Sequence, residues 1–149
     1  MIIRKAHGAD QEQLSQLFDG YRQFYKQAAD LSAASQFINS RLKNEDSVIF
    51  VAEANGQLLG FTQLYPSFSS VSMQRLWVLN DLFVAADARK MGVAKGLMEQ
   101  ARQFAEQTES KGLLLETDLD NLAAQKLYEQ VGYQKQQDTY HYFLANQKT

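Results

Sequence analysis

The sequence predicts a mixed α+β fold: one central sheet, helices packed on its faces, and the element order β-α-α-β-β-β-α-β-α-β-β. Three features carry that expectation. Short runs of Val, Ile, Leu and Phe alternate with longer segments whose apolar residues recur at helical spacing. The pair Asn55-Gly56 lies between two of those runs and suits a tight hairpin turn. The 149 residues hold no internal repeat, no low-complexity tract and no stretch resembling a linker, so residues 1–149 read as a single domain.

Taken in order, Ile2, Ile3 and Ala6 make a short strand that ends at Gly8. Asp10, with Gln13 three residues on, reads as a helix capping box. Leu14, Leu17, Phe18, Tyr21 and Tyr25 then predict a helix of about four turns. Ser32 is placed to cap a second helix, whose stripe is Ala34, Phe37, Ile38 and Leu42. Val48-Ile49-Phe50-Val51 is a strand, and Leu58 through Tyr65 is its hairpin partner. Pro66 and the serines after it are expected to end that pairing, because proline offers no ladder N–H. Arg75 to Val84 is the most apolar segment, and both of its alternating faces are apolar apart from Asn80 and Asp81. That pattern predicts a central strand covered on both sides. Gly92 to Thr108 is an amphipathic helix with Val93, Leu97, Ala101 and Phe104 on one stripe. Gly112 breaks the chain before a strand over Leu113–Thr117. Asn121 opens a last helix with Ala124, Leu127, Tyr128 and Val131 on one face, and Gly132 stops it. Tyr133 and Tyr140-His141-Tyr142-Phe143-Leu144 are expected to supply closing strands.

Composition excludes several classes of function. Fifteen Lys+Arg against 17 Asp+Glu give a net charge of -2, which argues against a protein held on nucleic acid by phosphate contacts. With no cysteine there is no disulfide, thiolate zinc site or cysteine nucleophile. His7 and His141 are too few and too far apart for a His-rich site, so no metal is expected. The first residues, Met1 to Lys5, carry no apolar stretch of signal-peptide length, and nothing downstream is long enough to span a bilayer. The expectation is a soluble, cytoplasmic protein with neither a membrane nor a nucleic-acid partner. A domain of this size buries roughly 70% of the surface its unfolded chain exposes, so no covalent staple is needed.

Three places could carry chemistry. The first is Arg89-Lys90-Met91-Gly92-Val93-Ala94-Lys95, where a turn opens a helix. A helix start offers unpaired backbone N–H groups and a positive dipole end, both suited to a phosphate. Gly92 and Ala94 leave room for an anion, and Arg89, Lys90 and Lys95 add positive charge. No Gly-Lys-Ser/Thr follows, and the three-glycine dinucleotide fingerprint is absent. An ordinary solvated loop fits the same residues equally well. The second is Asn121 to Tyr128 with Gly132-Tyr133, where Tyr128 also reads as a core tyrosine packed beside Leu127 and Val131. The third is Asn80-Asp81. An unpartnered buried polar group costs roughly 1–3 kcal/mol, and a bare carboxylate far more. Such a pair in mid-strand implies either a bulge opening onto a wet cleft or a structural hydrogen-bond network.

Taken together, these segments resemble the GNAT superfamily of N-acetyltransferases. Arg89, Gly92 and Ala94 fit its Arg/Gln-x-x-Gly-x-Gly/Ala signature. Asn121, Ala124, Tyr128, Gly132 and Tyr133 fit its Asn-x-x-Ala-x-x-x-Tyr element with the following Gly-Tyr. The order of elements matches over essentially the whole chain. Asn80 to Val84, with Tyr21 and Phe24-Tyr25, look like the branch holding yeast histone/polyamine-type acetyltransferases and their bacterial relatives.

The resemblance implies a sheet that splays beside Leu82, Phe83 and Val84, whose backbone would pair with the pantetheine arm of acetyl-CoA like an added strand. Backbone N–H groups of Arg89, Lys90, Met91, Gly92, Val93, Ala94 and Lys95 would cradle the diphosphate. Asn121, with Ala124 beside it, would hold the pantetheine arm, and Tyr128 would point its hydroxyl at the thioester sulfur. The implied reaction is direct attack of a primary amine on the thioester, the acceptor being a small molecule or a peptide lysine. An amine with pKa near 10.4 is mostly protonated at pH 7, a penalty of roughly 4–5 kcal/mol, so a base is needed. A polyamine-acetylating branch has Glu where this chain has Asn80. Asn is no base, which leaves Asp81 and, second, Glu116. Tyr21, Tyr25, Asn80 and Asp81 would line the acceptor pocket, although Tyr21 and Tyr25 equally suit core packing. A homodimer is expected through the Tyr140–Leu144 segment. Competing readings are a non-catalytic acyl-CoA sensor of the same fold and a binding protein for another phosphorylated ligand.

Overall fold

A computed structural model describes residues 1–147. The chain forms two compact units, Met1–Glu116 and a second one beginning at Thr117. The first holds strands β1 (Ile2–Lys5), β2 (Val48–Ala54), β3 (Gln57–Ser69), β4 (Gln74–Val84) and β5 (Leu113–Leu114), with helices α1 (Gln11–Phe24), α2 (Leu31–Asn44) and α3 (Val93–Gln107). The strands make one sheet in the order β1-β2-β3-β4-β5, antiparallel except for the parallel pair β4–β5. The second unit carries α4 (Leu122–Val131).

Strand alternation distributes the core to both faces of the sheet. Val48, Phe50 and Ala52 pack with Val93, Leu97, Ala101 and Ala105 of α3. The intervening Ile49 and Val51 pack with Leu14 and Phe18 of α1 and with Ala34 and Ile38 of α2. That is the period-2 arrangement of a sheet with helices on both sides. The hairpin at Asn55-Gly56 forms as its sequence requires, with φ of 53° and 75°.

Several elements differ from expectation. Asp10 precedes α1 but makes no cap with it. Its carboxylate instead accepts two 2.8 Å bonds from Arg4 and one from the His7 N–H at 2.9 Å. Gln13 reaches across to the hairpin, accepting from the Leu58 N–H and donating to the Gly56 carbonyl. The cap of α2 is Asp30, which accepts from the Ala33 N–H, rather than Ser32. Strand β3 runs through Pro66 to Ser69, because β2 stops opposite Leu64 and the missing proline N–H faces no partner there. Strand β5 spans only two residues instead of five and leaves Glu116 beyond it. No strand follows α4 among the described residues. Tyr140, Tyr142, Phe143 and Leu144 are each at least 90% exposed and outside any strand. Their alternation suits a strand, but a strand needs a partner edge, and among the described residues no strand pairs with them.

The Arg4–Asp10 pair should dominate the acid stability of this unit. Asp10 is buried, and the Arg4 guanidinium holds its carboxyl below the usual carboxylate range. A depressed pKa means that the native state binds the proton more weakly than the unfolded chain does. The stabilisation is therefore present above the ordinary aspartate pKa and is lost as pH falls through the depressed value. Asp10→Asn is expected to cost about 1–3 kcal/mol at pH 7. In thermal melts followed by circular dichroism, the variant and wild type should converge as the pH drops below 4.

Candidate active site

Asn80-Asp81 proves to be both a bulge and a hydrogen-bond network. The register of β3 and β4 shifts between Gln63↔Asp81 and Leu64↔Leu79, so Asn80 is the extra residue. A bulge reverses the facing of everything after it. Leu79 belongs to the α3 core, whereas Asp81 lies opposite Gln63, and Phe83 packs with the α1–α2 core. Asp81 is 1% exposed, and Asn80 is exposed. The carboxylate accepts from Asn80 Nδ2 and Gln63 Nε2, both at 2.7 Å, and Gln63 Oε1 accepts from Ser47 Oγ at 2.8 Å. Burial pushes the Asp81 carboxyl above its ordinary range, and the two amide donors oppose that shift. Nearby Tyr65 is pushed up to about 12, chiefly by burial and next by the Asp81 charge.

Tyr21 joins this group through its hydroxyl, which donates to the Asn80 carbonyl at 3.0 Å. Its ring stays within the aromatic cluster of Phe18, Phe61 and Phe83. Tyr25 meets Tyr21 edge-on at 5.1 Å and is 42% exposed. The ring of Tyr21 packs as its core reading expects, and its hydroxyl ties α1 to the bulge.

Past the bulge, β4 becomes an edge. Its parallel neighbour β5 pairs only with Trp77 and Val78, so among the described residues no strand pairs with Leu82–Val84 on the side away from β3. Both faces of β4 are covered as expected, Leu82 and Val84 against the α3 core and Phe83 against the α1–α2 core, so what lies open here is only the edge. The Ala85 N–H donates to the Leu59 carbonyl on β3. By alternation, Leu82 and Val84 turn their N–H and C=O groups to the open edge, and Phe83 turns its groups toward β3. The Val84 carbonyl accepts from Arg89 Nε at 3.3 Å, and the Arg89 guanidinium lies over the Phe83 ring.

That edge leads directly into the α3 start. Lys90 and Gly92 have φ of 65° and 78°, and Gly92 is the N-cap. No side chain caps this helix, and its first turn contains no acid. A Cβ built on Gly92 would meet nothing within 4 Å, and Arg89, Lys90, Met91 and Lys95 are exposed. Buried Val93 anchors the turn in the core. Uncapped N–H groups, open space and clustered cations fit a diphosphate.

In the second unit, Asn121 accepts from the Ala124 N–H at 3.3 Å and so caps α4 as expected. Ala124, Leu127, Tyr128 and Val131 are all partly buried, matching the predicted stripe. The Tyr128 and Tyr133 rings lie 6.0 Å apart, and burial raises the Tyr133 phenol. Glu116 is exposed.

Gln63, Ser47 and Tyr65 escaped the sequence reading. A signal was available, because Thr62-Gln63 interrupts an apolar strand just as Asn80-Asp81 interrupts the next one. Pairing the two strands antiparallel brings the interruptions together.

An open strand edge thus runs into an uncapped, cationic helix start within a mixed α/β domain, and comparison with known proteins gives the family. Residues 12–133 match the acetyltransferase (GNAT) family, and the chain belongs to it. The chain is 48% identical to the Bacillus subtilis N-acetyltransferase YhfO over 97% of both proteins. It is 26% identical to the Saccharomyces cerevisiae D-amino-acid N-acetyltransferase HPA3, covering 89% of this chain and 84% of that one. A crystal structure of a probable acetyltransferase superposes with a TM-score of 0.93 at 39% identity, covering all of both chains. The chain is thus an N-acetyltransferase, of a family whose cosubstrate is acetyl-CoA. None of its helices is long and apolar enough to cross a membrane, among the described residues.

Proposed function

We propose that this protein transfers the acetyl group of acetyl-CoA directly to a primary amine in the cytoplasm, the acceptor being a small molecule or an exposed peptide lysine. The observation that carries the proposal is the β4 edge at Leu82–Val84, which no described strand pairs, leading into the uncapped start of α3. Leu82, Phe83 and Val84 hold the pantetheine arm, with Asn121 and Ala124 assisting. Backbone N–H groups from Arg89 to Lys95 hold the diphosphate. Acetyl-CoA supplies a thioester carbonyl for the amine to attack and a thiolate that departs.

Asp81 takes the proton that the amine must lose, reaching it through water because the carboxylate is 1% exposed. Its raised pKa brings it nearer to working pH than an exposed aspartate would be. Asn80 and the hydroxyl-bearing edge of Tyr21 face the acceptor, with Tyr25 at the exposed margin. Tyr128 donates its phenolic O–H toward the departing sulfur. Glu116 serves as a peripheral carboxylate that attracts cationic acceptors. A homodimer joined through the exposed Tyr140–Leu144 segment completes the proposal.

The test is a thiol-release screen with acetyl-CoA across polyamines, amino acids, aminoglycosides and lysine peptides. Amine-dependent release of CoA supports the proposal, and the absence of release with every amine rejects it. A titration comparing CoA with ATP and NAD tests the cofactor separately. Gly92→Val checks the cradle, because a β-branched residue at φ of 78° is strained and must shift the turn. It should weaken CoA binding about tenfold in calorimetry, equivalent to 1.4 kcal/mol. The same strain should lower the melting temperature by a few degrees, so CoA affinity is measured well below the melt.

A further inference from the structure

Gln63 is a wholly buried amide in the middle of an apolar strand, and neither of its polar ends is idle. It is 0% exposed, its Oε1 accepts from Ser47 Oγ at 2.8 Å, and its Nε2 donates to Asp81 Oδ2 at 2.7 Å. An ionised carboxylate has no proton to offer, so only the N–H side of the amide can face it. Ser47, as donor, holds the amide in that orientation from the other end. Gln63 also stands directly opposite Asp81 in the register, and the bulge falls between it and Leu64. On the same residue, the Asp81 carbonyl accepts from Thr62 Oγ1 at 2.8 Å. Main chain and side chain of Asp81 are therefore both held from β3, while Asn80 holds the second carboxylate oxygen.

We propose that Gln63 is a positioning residue for acetyl transfer: oriented by Ser47, it fixes the Asp81 carboxylate and the β4 bulge that turns it onto the α1–α2 face. This rests on the reading of Asp81 as the proton acceptor. Tyr65 on β3 feels the Asp81 charge, and Tyr21 on α1 donates to the carbonyl of the adjacent Asn80; around Tyr65 stand also Arg41 on α2 and Asp46 in the following loop, ion-paired to each other at 2.7 Å. Arg41 and Asp46 act on Tyr65 in opposite directions, and Tyr65 titrates far above neutrality. Burial sets the direction of the Asp81 shift, and the two amides are the side chains that oppose it. Removing one removes a donor that favours the ionised form, and the pKa of Asp81 moves further up.

The experiment compares wild type, Gln63→Leu, Ser47→Ala and Asp81→Asn. It uses one acceptor amine throughout, so that the amine's own ionisation is common to all. For each protein, kcat/KM is followed against pH, CoA affinity by calorimetry, and folding by thermal melts. Gln63→Leu should lower kcat/KM about tenfold at pH 7, move the acidic limb upward by about half a unit or more, and leave CoA affinity within about twofold. Ser47→Ala should move the limb in the same direction by less. It removes one hydroxyl at a partly exposed position, so it decides the matter if Gln63→Leu fails to fold. A limb that Asp81→Asn abolishes but that stays at its wild-type pH in both other variants would overturn the role of Gln63 alone. A limb that survives Asp81→Asn would overturn the reading of Asp81 itself.

Discussion

Replacing Tyr128 with Phe is expected to lower kcat about 10²-fold while CoA affinity stays within about twofold. The change deletes one oxygen and keeps the ring, so the packing of α4 and the contact with Tyr133 survive. What is lost is a donor to negative charge that develops only as the C–S bond breaks. An interaction made in the transition state and not in the ground state appears in kcat, not in binding. Full proton transfer is not required for this. A phenol near pKa 10 giving its proton to a thiolate near 8.5 is uphill by about 2 kcal/mol, so the hydroxyl contributes chiefly a hydrogen bond. Steady-state kinetics at saturating acetyl-CoA, with CoA affinity from calorimetry, check the result. An unchanged kcat would leave Tyr128 a packing residue.

The parts of this chain that local chemistry dictates were legible in advance. Asn55-Gly56 could hardly be anything but a hairpin, Gly92 tolerates the positive φ that the α3 start demands, and the α4 stripe from Ala124 to Val131 follows from periodicity alone. Asn80-Asp81 was legible as a conflict: an apolar strand with two polar residues must either bulge or bond them, and it does both. What stayed hidden depends on neighbours distant in the chain. Asp10 looks like a cap until Arg4 is brought beside it by the β1–β2 register. Pro66 looks like a strand end until β2 proves to have stopped already. Gln63 is an unremarked polar residue until it stands opposite Asp81. Tyr140 to Leu144 have strand chemistry, but alternation states only that a segment suits a sheet, never that an edge awaits it.

Asp81→Asn should separate activity from stability. The carboxyl has a raised pKa in the native state, so the native state binds the proton more tightly than the unfolded chain. The sign is opposite to that of Asp10: stability falls as pH rises from the ordinary aspartate value through the raised one, and the deficit persists at pH 8. Replacing the charge with an amide removes that deficit. The network can absorb the change, because rotating the Gln63 amide presents Oε1 to the new Asn Nδ2, and Ser47 Oγ can accept instead of donate. The variant is therefore expected to melt at or above the wild-type temperature at pH 8 and below it in relative terms near pH 4. Its kcat/KM should fall by about 10²-fold or more, with the acidic limb gone, because the carboxylate proposed to take the amine's proton is lost. A buried charge kept at a cost to folding is the pattern of a site selected for turnover. Equal turnover in the variant would assign Asp81 to holding the bulge and nothing more. A loss of stability at pH 8 would show that the ionised carboxylate is a net contributor to the fold.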